Sequence, residues 1–128
     1  MENSTCIHDV ADRLVTSFLP EAVSNQNFFI NDIPETLQFH EDSQVAVSVL
    51  GGLLGAIARY ARNSCIRLSA KLYGNIVLIH VKNSNGFNGH IIQGHLQQLQ
   101  LLAGKTKGAV GFTSHQNILT SVTFGFYQ

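Results

Sequence analysis

The sequence predicts an α+β two-layer sandwich, a mixed, mainly antiparallel sheet covered on one face by three helices, within a single domain over 1–128. Three observations predict it. Val49, Leu50, Leu53, Leu54, Ile57, Ala58 and Ala61 recur at the spacing of one helix face, and shorter stretches over 7–19 and 92–103 repeat that period. Between 65 and 73 apolar and polar residues alternate, as in a strand with one buried face, whereas 76–81 is apolar on both faces, as in a central strand. Gly74-Asn75 between them is a two-residue hairpin turn, and 109–113 with 119–127 reads as a closing hairpin.

In order, a first helix over 7–19 presents Ile7, Val10, Ala11, Leu14, Val15 and Phe18 on one side and is ended by Pro20. His8 is read as a surface residue of that helix. A strand over 27–31 follows, then a turn at Asp32-Ile33-Pro34-Glu35 and a short strand over 36–40. The long apolar helix spans about 42–62, with Glu41 and Asp42 placed to complement its dipole. Arg67, Ser69 and Lys71 face outward from the next strand, and His80 is half-buried and hydrogen-bonded. Residues 84–89, Ser-Asn-Gly-Phe-Asn-Gly, are turn chemistry throughout. The helix over 92–103 turns Leu96, Leu99, Leu101 and Leu102 inward and Gln93, Gln97, Gln98 and Gln100 outward; Val122, Phe124 and Phe126 share one face of the last strand, and Asn117 is a turn residue.

The long helix also carries Gly51, Gly52, Gly55 and Ala56 on its second face. Each glycine costs a helix interior roughly 1 kcal/mol relative to alanine. Something must therefore approach closely, either a sheet on which the helix packs tightly or a ligand or partner lying in a groove.

The stretch Val49-Leu50-Gly51-Gly52-Leu53-Leu54-Gly55-Ala56-Ile57-Ala58-Arg59-Tyr60, read with Val81-Lys82-Asn83-Ser84-Asn85-Gly86-Phe87-Asn88-Gly89, resembles two motifs of histidine kinase ATP-binding domains and the GHKL (Bergerat-fold) superfamily. The family helix reads V-L-x-N-L-L-x-N-A-x-K-Y and its asparagine holds Mg²⁺ and phosphate; a later strand ends in V-x-D-x-G-x-G, whose Asp binds the adenine amino group. Gly52 and Ala56 stand at the asparagine positions, and Asn83, or Ser84 with a one-residue slip, at the Asp position. The turn at 32–35 resembles the family's D-I-P-E, and 104–108 its later glycine turn. The resemblance implies an ATP lid after residue 89, yet little chain separates that loop from the next helix, and Gly94 is the one trace of the second glycine box.

Net charge is zero but divided. Residues 1–42 hold all eight acids and one base, Arg13, for a net −7; residues 43–128 hold seven bases and no Asp or Glu, for +7. No carboxylate is thus available in the later part for metal binding or general base catalysis. The expected site, a degenerate nucleotide pocket or partner groove, comprises Gly52, Gly55, Ala56, Arg59, Asn83, Asn85, Gly86 and Gly94, with no catalytic or metal residue. The resemblance then implies a pseudo-ATPase with no cofactor, acting in two-component signalling with a histidine kinase, a response regulator or, as a homodimer, a second copy of itself as partner. The alternative is a divergent ATP-binding domain of a sensor kinase-like protein, holding ATP weakly and without Mg²⁺ through Asn83 and Arg59, Arg62, Lys82 or Lys105. A nucleic-acid surface is disfavoured because the bases are scattered and not interleaved with aromatics. Cys6 and Cys65 match no disulfide or zinc pattern and are expected as reduced core thiols. His90 and His95 have the wrong spacing for a helical metal pair. The lack of a membrane-length apolar run and of a basic start at Met1-Glu2-Asn3-Ser4 leads to the expectation of a cytoplasmic protein without membrane contact.

Overall fold

A computed structural model describes residues 5–39, 44–116 and 118–127. His40, Glu41, Asp42 and Asn117 lie outside the described residues. In chain order the elements are β1 (Thr5–Cys6), α1 (Ile7–Ser17), α2 (Leu19–Ser24), β2 (Phe28–Asn31), β3 (Gln38–Phe39), α3 (Gln44–Tyr60), β4 (Cys65–Tyr73) and β5 (Ile76–Asn88). They continue with α4 (Gly89–Ala103), a 3₁₀ turn at Gly104–Thr106, β6 (Ala109–His115) and β7 (Ile118–Tyr127).

The main sheet has five strands in the order β2-β4-β5-β7-β6. β2 runs parallel to β4, and all the other neighbours are antiparallel. β5, which contains the apolar 76–81 stretch, is the central one. Gly74 has φ +59°, which the tight turn between Tyr73 and Ile76 requires and a side chain would resist.

Alternation along the strands puts Ile66, Leu68, Ala70, Val77, Ile79, Val81, Val122, Phe124 and Phe126 in the core. Packed on that face is α3, whose Val49, Leu50, Leu53, Leu54 and Ile57 are buried. Phe39 stacks on Phe126 with ring centroids 5.4 Å apart, so the small β1–β3 pair closes one end of the core. Burying a side chain of this size stabilises by roughly 1.5–3 kcal/mol, and the core therefore dominates the fold. Arg67, Lys71 and Lys82 are exposed on the opposite face.

Several sequence expectations are corrected. Pro20 does not end the helical run: α1 stops at Ser17, and Pro20 lies in the first turn of α2, where its missing N–H costs nothing. The turn predicted over 84–89 is absorbed into β5 as a register shift, with Lys82 opposite Ser121 but Phe87 opposite Leu119. α4 then starts at Gly89, three residues earlier than its apolar period suggests, so no loop separates strand from helix. Leu101 is not inward but 78% exposed. Cys6 and Cys65 are free thiols, yet half-buried and not in the core. His8 is half-buried too, its Nδ1 lying 2.7 Å from the Ile33 carbonyl oxygen. β1 has no counterpart in the sequence reading, because two residues show no period. As expected, His80 is half-buried and hydrogen-bonded, its Nδ1 3.1 Å from the Thr123 hydroxyl.

The glycines of α3 set how closely its neighbours approach. A Cβ at Gly51 would lie 3.4 Å from Leu14, and one at Gly55 would come within 2.8 Å of the Phe18 ring. Leu14 and Phe18 are four residues apart, as Gly51 and Gly55 are, so two side chains from the α1 end seat in two recesses. On the other flank a Cβ at Gly52 would come within 2.5 Å of Leu99 from α4. Gly55→Leu is therefore expected to lower stability by about 1–3 kcal/mol through overpacking. In urea unfolding, the loss should be smaller in a Phe18→Ala background; equal losses in both backgrounds would contradict the contact.

Candidate functional site

The residues singled out in the sequence are carried by three elements. Gly52, Gly55, Ala56 and Arg59 lie on α3, Asn83, Asn85 and Gly86 on β5, and Gly94 on α4. Two polar contacts join these elements. The Tyr60 hydroxyl lies 3.2 Å from His95 Nε2, with ring centroids 5.6 Å apart, which ties the end of α3 to α4. Asn85 Nδ2 donates to the carbonyl of Asn63, which ties β5 to the segment after α3.

The glycine stripe is packed. The approach is not made by the sheet, one of the two alternatives open in the sequence: side chains of the α1 end and of α4 lie against Gly51, Gly52 and Gly55, which sit on the flanks of α3. Ala56 is buried in the core and does not line a groove. Gly52, Arg59, Asn85 and Gly94 are exposed, and nothing approaches within 4 Å of where a Gly94 Cβ would be. Neither Gly52 nor Ala56 has a side chain able to ligate a cation or bond a phosphate.

Asn83 and Asn27 are two buried amides with opposite fates, each 6% exposed. Asn27 is fully used. Its Nδ2 donates to the carbonyl of Ala61 at 2.8 Å and reaches that of Ala58 at 3.4 Å, while its Oδ1 accepts from the Ser64 N–H at 3.1 Å. It thereby satisfies carbonyls left over at the C-terminus of α3, a role that no motif in the sequence signals. Asn25 does the same beside it, donating to the carbonyls of Ala58 and Arg59 and accepting from Arg62 Nη1 at 2.6 Å. Asn83 is half-used. Its Oδ1 accepts from the Asn85 N–H at 3.3 Å, but its Nδ2 is buried with no hydrogen-bond partner among the described residues. An unpaired buried donor costs about 1–3 kcal/mol.

Of the basic residues, Arg67 and Lys82 line with Asn83, Cys65, Ser84 and Thr120 an open cavity of about 480 Å³. Lys82 and Arg67 are register partners on β5 and β4, exposed on the sheet face away from the core, and Arg67 pairs with Asp32. Lys82 and Asn83 are consecutive in a strand and so point to opposite faces. The buried Asn83 amide and the exposed Lys82 ammonium thus lie on opposite faces of β5, although both residues line that cavity. Lys105 belongs to the 3₁₀ turn after α4, and Arg62 is engaged with Asn25. Among the described residues no three His, Cys, Asp or Glu side chains converge as a metal cluster would need.

Against solved structures the arrangement is familiar. The histidine kinase AdeS of Acinetobacter baumannii superposes with a TM-score of 0.78 over 99% of this chain and 68% of its own, at 12% identity. The chain has the histidine kinase catalytic-domain fold. A mycobacterial sensor histidine kinase, MprB, matches with a TM-score of 0.74 over 99% of this chain and 97% of its own, again at 12% identity. The histidine kinase ThkA, in a complex with the response regulator TrrA, matches with a TM-score of 0.70 at 14% identity over 97% of this chain and 41% of its own. No protein-family model and no curated protein sequence matches the chain. The fold and the sheet's strand arrangement agree with the expectation drawn from the two motifs. Among the described residues, no helix is long and apolar enough to cross a membrane.

The two asparagines give a direct comparison. Asn83→Leu removes the orphan donor and is expected to leave urea stability unchanged or raise it by about 1 kcal/mol. Asn27→Leu strands the Ala61 carbonyl and the Ser64 N–H and is expected to cost about 2–4 kcal/mol. A larger loss at position 83 than at position 27 would refute this account of the site.

Proposed function

We propose that the chain is a histidine kinase-type ATPase domain that has lost ATP and Mg²⁺ binding and acts as a protein-interaction or regulatory module in two-component signalling. The observation that carries this reading is Asn83. At the position where the family resemblance expects a carboxylate acceptor for the adenine amino group, Asn83 supplies a neutral amide whose Oδ1 already accepts from the Asn85 N–H and whose buried Nδ2 is a donor. One of its two groups would face the adenine amino group donor to donor, and the other lacks the charge that strengthens such a bond. Three further features support it. Gly52 and Ala56 offer no oxygen to a cation. Leu99 lies against Gly52. β5 continues into α4 without a loop that could serve as a lid.

The partner in this reading is a histidine kinase or a response regulator. The ThkA–TrrA complex supports that class of partner, since there a chain of this fold is found with a response regulator. The surface left to such a partner is the exposed rim of the site, Gly52, Arg59, Asn85 and Gly94, with Leu99 lying against Gly52.

A second reading, a divergent ATP-binding domain, is favoured by the extent of the likeness to the sensor kinase MprB, 97% of whose chain is covered. Calorimetric titration with ATP and ADP, with and without Mg²⁺, up to millimolar nucleotide, separates the two. The first predicts a folded protein with no binding heat. Micromolar binding abolished by Asn83→Ala would overturn it in favour of the second.

A further inference from the structure

The two edges of the five-stranded sheet are finished differently. β2 spans four residues, and the neighbouring chain is tied down by Asn31 Nδ2 donating to Asp12 Oδ1 at 2.8 Å and by the Asp32–Arg67 pair. At the other edge β6 spans seven residues, and from Ala109 to Tyr127 the sequence holds no Asp, Glu, Lys, Arg or Pro. Edge strands are ordinarily blunted by charge, proline or short length, and β6 has only a register shift between Thr113 and Ser114. Between β6 and α4 lies an open cavity of about 410 Å³, lined chiefly by Leu96, Gln97, Gln100, Leu101, Val110 and Phe112. Leu101 is 78% and Phe112 52% exposed. The Val110 N–H donates to Gln100 Oε1, so a main-chain donor of the edge is met by an α4 side chain.

We propose that this edge and its cavity dock a second copy of the chain, the two β6 strands pairing antiparallel about a two-fold axis close to Phe112. Charge decides the occupant. A two-fold contact sets each surface against itself, so a charged edge would oppose like to like, whereas an uncharged one is compatible with its own copy. A different protein selected by charge finds nothing to read here. Lys105 and Lys107 lie just before β6, and antiparallel pairing carries those of the two copies to opposite ends of the joint strand pair. Centring on Phe112 makes the two Phe112 rings cross-strand neighbours, beside the exposed Leu101 of each copy. Val110 then faces Ser114 of the second copy. Gln100 holds the Val110 amide in the single chain, and on pairing a strand carbonyl replaces it, so no donor is stranded. The pairing joins two five-stranded sheets into one and requires neither nucleotide nor a signalling partner, so it goes beyond the functional reading above.

Sedimentation velocity of the intact chain across micromolar concentrations, without nucleotide, tests this. The expected result is a reversible dimer whose dissociation constant rises about tenfold or more with Phe112→Lys, which sets like charges together at the axis, and likewise with Leu101→Lys. Leu101 is exposed on a helix, so its variant keeps the test alive if Phe112→Lys does not fold by circular dichroism. Val23→Lys, in the separate exposed apolar patch of Leu19, Pro20 and Val23, should leave the dimer intact. A monomer throughout, a dimer indifferent to the folded position 112 and 101 variants, or a dimer lost only with Val23→Lys would each overturn the proposal.

Discussion

The close seating of α1 and α4 against α3 is the contact on which the helix layer depends. Three glycines on α3 accept Leu14, Phe18 and Leu99, and without those recesses the flanking helices would stand further off. The propensity cost of glycine in a helix is offset by packing that brings three helices over one sheet. Whatever the site does is bounded by this choice, because a side chain at Gly52 or Gly55 large enough to bind a ligand would collide with Leu99 or Phe18. The same residues that hold the layer together therefore account for the lack of polar groups on this part of α3.

The polar side of the site is divided between satisfied and unsatisfied groups. Asn25 and Asn27 close the C-terminal end of α3 with bonds to its last carbonyls, a structural duty that leaves nothing to spare. Asn83 retains a donor with no partner among the described residues. Buried polar groups are nearly always paired, and those that are not are the natural places to look for a vestigial or altered role. Lys82 and Arg67, by contrast, belong to the outer face of the sheet and to a different electrostatic neighbourhood.

Much of the architecture was legible in the residues. The period of 49–61, the alternation of 65–73 and the turn at Gly74-Asn75 led to α3, β4, β5 and their hairpin, because each pattern is long or chemically specific. Where the reading failed, local chemistry was overruled by longer-range contacts. Ser84 to Asn88 has turn composition, yet pairing with β7 on either side draws it into the strand as an irregularity. Leu101 fits the apolar period of its helix, but it lies at the open margin where β6 ends the sheet. Pro20 marks a break correctly while the chain on both sides of it is helical. In the site, the missing carboxylate was plain from the sequence. That the glycines serve packing was not, since the partners Phe18 and Leu99 are more than thirty residues away and nothing local announces them.

The topology also orders events for a chain emerging from its N-terminus. From Cys65 onward the strands pair with one another in antiparallel ladders, β4–β5 and β6–β7 across two-residue connections and β5–β7 across α4 and β6. β2 instead pairs in parallel with β4, across the whole of α3, and the caps from Asn25 and Asn27 reach equally far. The first 39 residues consequently carry Ile7, Val10, Phe29 and Ile33 with no sheet to cover them until β4 has been made. Long-range parallel pairing closes slowly, and uncovered apolar surface is prone to wrong contacts in the interval. Residues 5–39 thus pass through an interval in synthesis when their apolar side chains lie uncovered, and the net charge of −7 over residues 1–42 then sets copies of the segment to repel one another.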